Sequence, residues 1–213
     1  MDWVLNNLSR ILDLSFAHLW LSAPAILAAF VIALPIAWAA NRVRLLREVM
    51  VSGTGLLYAI PSLPLFIVLP ILLGTGVRDA VNVIAALTIF GLALMVRSAA
   101  DALASVDDGT VLASVAMGYS PLKRFFSVEL PLAGPALLAG LRVVSVSTIS
   151  LVSVSAVLGV QSLGSLFTDG FERGIVSSIV AGILGTALLA VLLDALLIAL
   201  GRLLMPWVVR SRS

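Results

Sequence analysis

The sequence predicts an all-α integral membrane protein of five transmembrane helices with one long polar loop, and three observations carry that prediction. Of 213 residues, 61% are hydrophobic and 11% charged, whereas a soluble domain carries about a quarter charged residues. The apolar residues gather into five runs of the order a helix needs to cross the hydrocarbon layer, about 20 residues at 1.5 Å each. Between the third and fourth runs lies a polar interruption from Arg97 to Pro131. The runs must be helical although rich in β-branched residues, because in lipid only helices and closed barrels satisfy every backbone group.

Residues 1–18 read as an extracytoplasmic N-terminal segment. They carry Asp2, Arg10 and Asp13 in place of the basic start and small-residue cleavage site of a secretory signal, so the segment is expected to be retained. A single transmembrane domain then covers 19–206. Its first span, 19–40, contains Pro24 and Pro35, and His18 at its outer end reads as an interfacial residue beside Trp20 rather than a proton relay. The second span, 50–73, holds Pro61, Pro64 and Pro70. Proline removes a backbone donor and loosens the helix, so three in one span predict a kink or break. A pathway role for Pro61 and Ser62 and a static kink both stay open. The third span, 82–97, is short.

The loop from 97 to 131 is punctuated. Asp107 and Asp108 suit the start of a short helix over 109–117, Gly118 suits the left-handed residue that ends it, and Ser120-Pro121 opens a second short helix. That second helix carries Leu122, Phe125 and Phe126 beside Lys123 and Arg124 and is expected to stop near Pro131. From the residues alone, the hairpin either docks a partner or rests on lipid.

Span four, 133–158, distributes Ser145, Ser147, Thr148, Ser150, Ser153 and Ser155 around its whole circumference. Small polar groups on every side allow close helix approach, so this span is expected at the centre of the bundle. Span five covers 175–205, and residues 207–213 form a tail. Two ions lie inside spans: Arg142, about 16 Å beyond Pro131, and Asp194, about 12 Å before Arg202. Their similar depth predicts a mutually neutralising pair, within one subunit or between two; the alternative is two separate structural charges, with Arg142 reaching to the interface.

Orientation follows from the basic residues of the connections. Arg42, Arg44, Arg47, Arg97, Lys123, Arg124, Arg202, Arg210 and Arg212 fall on one side, and Arg10, Arg78 and Arg173 on the other. The positive-inside rule makes the first set cytoplasmic, with the N-terminus outside and the C-terminus inside. A net charge of +2 scattered over several loops does not describe a nucleic-acid surface. Without cysteine and with one histidine, the chain offers neither disulfides nor a histidine metal cluster. A phosphate-binding Gly-rich loop and a paired nucleophile and base are both missing, so the chain reads as no enzyme, with no catalytic or metal site.

Ala113, Gly118, Val128, Leu130 and Pro131 match the spacing of the Glu-Ala-Ala loop of importer permeases of the ATP-binding-cassette (ABC) class, which the chain resembles over about Trp20 to Pro206. Leu112 stands in the usual glutamate position and Ser114 in that of the second alanine. Ile60-Pro61-Ser62-Leu63, Val106-Asp107, Ala139-Gly140-Leu141-Arg142 and Leu192-Leu193-Asp194 further resemble permeases for quaternary-amine osmoprotectants such as glycine betaine and choline. Gly159-Val160-Gln161-Ser162-Leu163-Gly164 departs from their Gly-Ala-Gly-Gly-Leu-Gly run.

The resemblance implies a methionine-importer-like permease fold in a bacterial or archaeal cytoplasmic membrane. It assigns ATPase coupling to Leu112, Ala113, Ser114, Gly118, Lys123, Arg124, Val128, Leu130 and Pro131, and makes Pro61, Ser62, Arg142 and Asp194 candidates for the translocation pathway. It also implies a second permease subunit, identical or homologous, two ABC ATPase subunits and an extracytoplasmic substrate-binding protein. ATP and Mg would be used by the ATPases, with no cofactor on this chain. Amino-acid permeases of the methionine type and an ATP-independent carrier or scaffold are the alternatives.

Overall fold

The computed structural model describes residues 2–207, and every regular element within them is helical. In order these are α1 (Asp2–Asn6), α2 (Leu8–Ala40), α3 (Arg44–Tyr58), α4 (Ser62–Leu73), α5 (Ala80–Ala104), α6 (Asp108–Ala116) and α7 (Pro121–Arg124). A π turn (Phe125–Glu129) leads into α8 (Leu130–Val152), which tightens to a 3-10 helix (Ser153–Leu158) before α9 (Ser165–Glu172) and α10 (Val176–Leu204). Arg210, Arg212 and all but the first residue of the predicted 207–213 tail lie outside the described residues.

Four stretches are long and apolar enough to cross a membrane: α2, α5, Pro121–Leu158 and α10; α3 and α4 together supply a fifth. The five-span plan therefore holds, with altered bounds. The first span starts at Leu8, so the boundary at residue 18 falls inside α2. Hydropathy detects where lipid begins, whereas helix propensity carries the rod onward through Arg10 and Asp13. The third span runs on to Ala104 because five of the seven residues after Arg97 are Ala or Leu, the strongest helix formers.

The second span is not straight: its halves, 47–57 and 62–73, meet at 101°. Pro61 has φ −60° and ψ 135°, and a residue preceding proline is driven from helical geometry, so α3 ends at Tyr58, short of Ile60, and α4 begins at Ser62. At 12 residues α4 measures about 18 Å and cannot cross alone.

A further departure lies at Pro131. The second loop helix does not stop there; it runs through the π turn into α8 as one stretch from Pro121 to Leu158. Pro131 has no N–H and its ring crowds the carbonyl four residues back. The chain answers by widening one turn, so that the Leu130 N–H donates to the Phe125 carbonyl, five residues back, and the helix continues.

The core is the stack of α2, α5 and α8. Ala25, Ala29, Ala33 and Ala37 recur every fourth residue along α2 and are fully buried, which lets α5 approach closely. At Gly91 of α5 an added Cβ would lie 2.7 Å from that of Ala29. The expected central position of span four holds for Ser145, Thr148 and Ser155, all buried. His18 is a correction: it is fully buried and its Nε2 lies 2.9 Å from the Ile149 carbonyl of α8, while its near neighbour Trp20 is exposed. Two residues, about 200° around the helix, separate facing the bundle from facing lipid.

Candidate functional site

The polar loop builds a protruding handle on the side that carries the basic residues. Asp107 caps α6, its carboxylate accepting the Thr110 N–H at 2.9 Å, and Asp108 adds negative charge to the first turn. The helix ends in a glycine turn. Gly118 has φ +77°, its N–H donates to the Val115 carbonyl at 2.9 Å, and the Tyr119 N–H reaches back to Ser114 at 3.1 Å. Ser120 then caps α7, accepting the Lys123 N–H, with Pro121 at the first helical position.

This geometry sorts the predicted coupling residues by face. Leu112 is 68% exposed, and Ala113, Val115 and Met117 also face outward, giving α6 an apolar outer surface. Ser114 is 1% exposed and its hydroxyl donates to the Val111 carbonyl at 2.6 Å, so it belongs to the inner face. Lys123 is exposed, its ammonium 4.3 Å from the centre of the Tyr119 ring. Arg124 turns inward, its Nε 2.5 Å from Glu129 Oε1. Val128, Leu130 and Pro131 are half-buried on the widened turn, and Leu130 packs with Val111 against the core.

Behind α6 lies a cleft of about 310 Å³ whose walls include Trp38, Arg42, Arg47, Arg124 and Glu129. Trp38 packs against Phe125, ring centres 5.3 Å apart, and the Arg42 guanidinium stacks 3.9 Å over the Trp38 ring. Arg47 pairs with Asp101 at 2.9 Å, and Asn41 donates to the Ala100 carbonyl at 2.8 Å. These contacts escaped the sequence reading because they join residues far apart in the chain. The Arg124 and Glu129 pair was hidden by its five-residue spacing, which puts side chains together only on a π turn.

The candidate pathway residues fall in two places. Pro61 and Ser62 form the corner between α3 and α4. Arg142 of α8 and Asp194 of α10 meet within one chain as a two-pronged pair, Nε to Oδ1 at 2.6 Å and a terminal nitrogen to Oδ2 at 2.8 Å. The pairing predicted from depth is therefore present, and the fork geometry satisfies both carboxylate oxygens. The structure does not bring this pair to the corner at Pro61.

At the other end of the bundle, Arg10 of α2 pairs with Asp169 of α9, beside a polar cleft of about 440 Å³ that also takes in Gly159, Gln161 and Thr168. The unusual run from 159 to 164 keeps glycine where geometry requires it. Gly159 has φ +80°, and at Gly164 an added Cβ would collide with the Ser153 carbonyl. Ser162 between them is buried and accepts the Gly164 N–H.

Residues 25–210 match the family described as the inner membrane component of binding-protein-dependent transport systems. The chain belongs to that family. It is a permease subunit of an ABC importer, a membrane transport component that works with an ATPase and a substrate-binding partner. The osmoprotectant import permease protein OsmW of Salmonella typhimurium is 32% identical to this permease over 209 residues, covering 97% of each chain. The choline transport system permease protein OpuBD of Bacillus subtilis is 29% identical over 97% of this chain and 90% of its own. Among solved structures, the inward-facing methionine ABC transporter MetNI superposes with a TM-score of 0.75 at 21% identity, covering 98% of this chain and 99% of that one. That likeness establishes the methionine-importer-like fold.

Proposed function

We propose that this permease carries a quaternary-amine osmoprotectant such as glycine betaine or choline into the cell. The observation that supports the substrate class most strongly is end-to-end similarity to an osmoprotectant permease, with no large insertion on either side. Two permease subunits, two ATPases that use ATP and Mg, and an extracytoplasmic binding protein complete the importer in this reading. This chain holds no cofactor of its own. The basic side of the bundle is cytoplasmic, with the N-terminus outside.

The apolar outer face of α6, with the exposed Leu122 and Phe126 beyond the glycine turn, supports ATPase docking. Leu112 makes that contact by burial where a glutamate would make it by charge. Ser114 and Arg124 shape the handle from within and do not meet the ATPase. Arg142 and Asp194 hold α8 to α10 across the inner half of the pathway as a neutralised pair.

The experiment is uptake by vesicles containing the permease with its cognate ATPase and binding protein. ATP-dependent accumulation of labelled glycine betaine or choline, absent without the binding protein, is the expected result. Accumulation of methionine in preference to either would transfer the permease to the amino-acid class. Uptake persisting without any ATPase would remove it from ATP-driven import.

A further inference from the structure

The wide turn imposed by Pro131 puts two adjacent aromatic residues in different surroundings. Phe126 is 60% exposed on the docking surface, whereas Phe125 is 7% exposed and packs into the bundle against Trp38. The two phenyl rings also touch edge to face, their centres 5.0 Å apart at 77°. An unbroken line of ring contacts thus runs from the outer surface of the handle through Phe126 and Phe125 to Trp38, near the end of α2. We propose that the contact of Phe125 with Trp38 is the joint through which displacement of the handle is transmitted to α2, making both of them positioning residues for transport. The inference rests on the import reading above and assigns it a mechanical element.

Five features support a stiff joint. Arg42 stacks on the Trp38 ring, and Asn41 ties the same end of α2 to the Ala100 carbonyl of α5. On the other side, Phe125 and Ala133 share one buried cluster with Ala33 and Ala37 of α2 and with Leu103 and Val106, which lead into α6. The Arg124 and Glu129 pair spans a five-residue step one position before that of the Leu130 to Phe125 hydrogen bond, clamping the wide turn on its inner side. Finally, phase depends on that turn: removing its extra residue would rotate everything before it by about 100° about the helix axis and carry Phe125 away from Trp38. Trp38 Nε1 has no acceptor among the described residues, so packing holds the ring and a phenyl group can stand in for it.

The test uses the complete importer in vesicles and reads labelled glycine betaine, choline or methionine moved per ATP hydrolysed. Trp38→Ala is expected to keep its ATPase bound and active while that ratio falls at least tenfold, and Trp38→Phe to restore at least half of it. A ratio in Trp38→Ala equal to wild type, or a Trp38→Phe complex as uncoupled as Trp38→Ala, would overturn the proposal. Should Trp38→Ala not assemble, Phe125→Leu decides on the same ratio, a wild-type value overturning and a fall supporting. The chain has no cysteine, which permits a second arm: a Trp38→Cys, Phe125→Cys permease should be uncoupled when reduced and recoupled when the two are tied by a short cross-link. An assembled complex that stays uncoupled when tied would show that the contact must open, against a joint. A wild-type complex coupled to a different substrate would defeat the substrate reading and leave the joint standing; one that captures no ATPase would defeat both.

Discussion

Helices α5 and α10 both cross the membrane, yet they occupy it in opposite ways. The most apolar stretch of α5 is more than half buried, whereas that of α10, the more apolar helix, is scarcely buried at all. Along the whole of α10 only Ser178, Gly182, Leu189 and Gly201 are buried, against thirteen residues of α5 that include Asn82, Gly91 and a series of alanines. In water the more apolar helix would be the inner one. In lipid the tails are as apolar as leucine, so leucine gains little by leaving them, and what marks the inside is small size and polarity. The long Leu, Ile and Val content of α10 is the mark of a helix that faces outward.

The sharpest way to break this comparison is to place a leucine in both environments. At Gly140 of α8 an added Cβ would collide with the Ser98 hydroxyl of α5, so Gly140→Leu should cost about 1 to 3 kcal/mol or more of packing and abolish recovery of monodisperse protein in detergent. Ala187→Leu on the exposed face of α10 should leave thermal stability by fluorescence-detected size exclusion unchanged. Equal losses from both would mean that α10 is covered by another chain.

Next comes the ion pair that ties the two environments together. Arg142→Leu or Asp194→Leu leaves one unpaired charge among membrane helices, and each should sharply lower folded yield. The double Leu variant should recover much of it, because removing both ions removes the unpaired charge. A double variant no better folded than either single change would mean that the two do not act as a unit. Transport by a recovered double variant separates a structural tie from a pathway element.

Smaller effects belong to the handle, outside the lipid. Gly118→Val forces a branched side chain into a left-handed backbone at φ +77°, a strain of about 1 to 2 kcal/mol. It should reduce ATPase co-purification severalfold with little change in bundle stability. Ser114→Ala should have the least effect, because its hydroxyl bonds only to its own helix. If Ser114→Ala weakened ATPase binding as much as Gly118→Val, the assignment of Ser114 to the inner face would be wrong.

How much of this was legible in the sequence depended on whether the signal was local. The cap at Asp107, the turn at Gly118 and the break at Pro61 were readable because each needs only the backbone preference of one or two residues. The Arg142 and Asp194 pair was readable because a membrane makes isolated charges conspicuous and depth can be counted along a helix. The start of α2 and the end of α5 were missed because hydropathy locates lipid rather than helix ends. Helix α9, only Ser165–Glu172, was hidden in a stretch too short to show a period. Pro131 was read as a stop although membrane and membrane-adjacent helices can absorb proline by widening a turn, and the Trp38 contact depends on that choice.

The same widened turn makes a single rod of the stretch from Pro121 to Leu158, 38 residues or about 57 Å at 1.5 Å per residue. Such a rod is nearly twice as long as the hydrocarbon is thick, about 30 Å. Were it to pivot at its middle, at the close contact of Gly140, a tilt of about 10° would sweep each tip through about 5 Å, and a push on one side of the membrane would reach the other as an equal and opposite displacement.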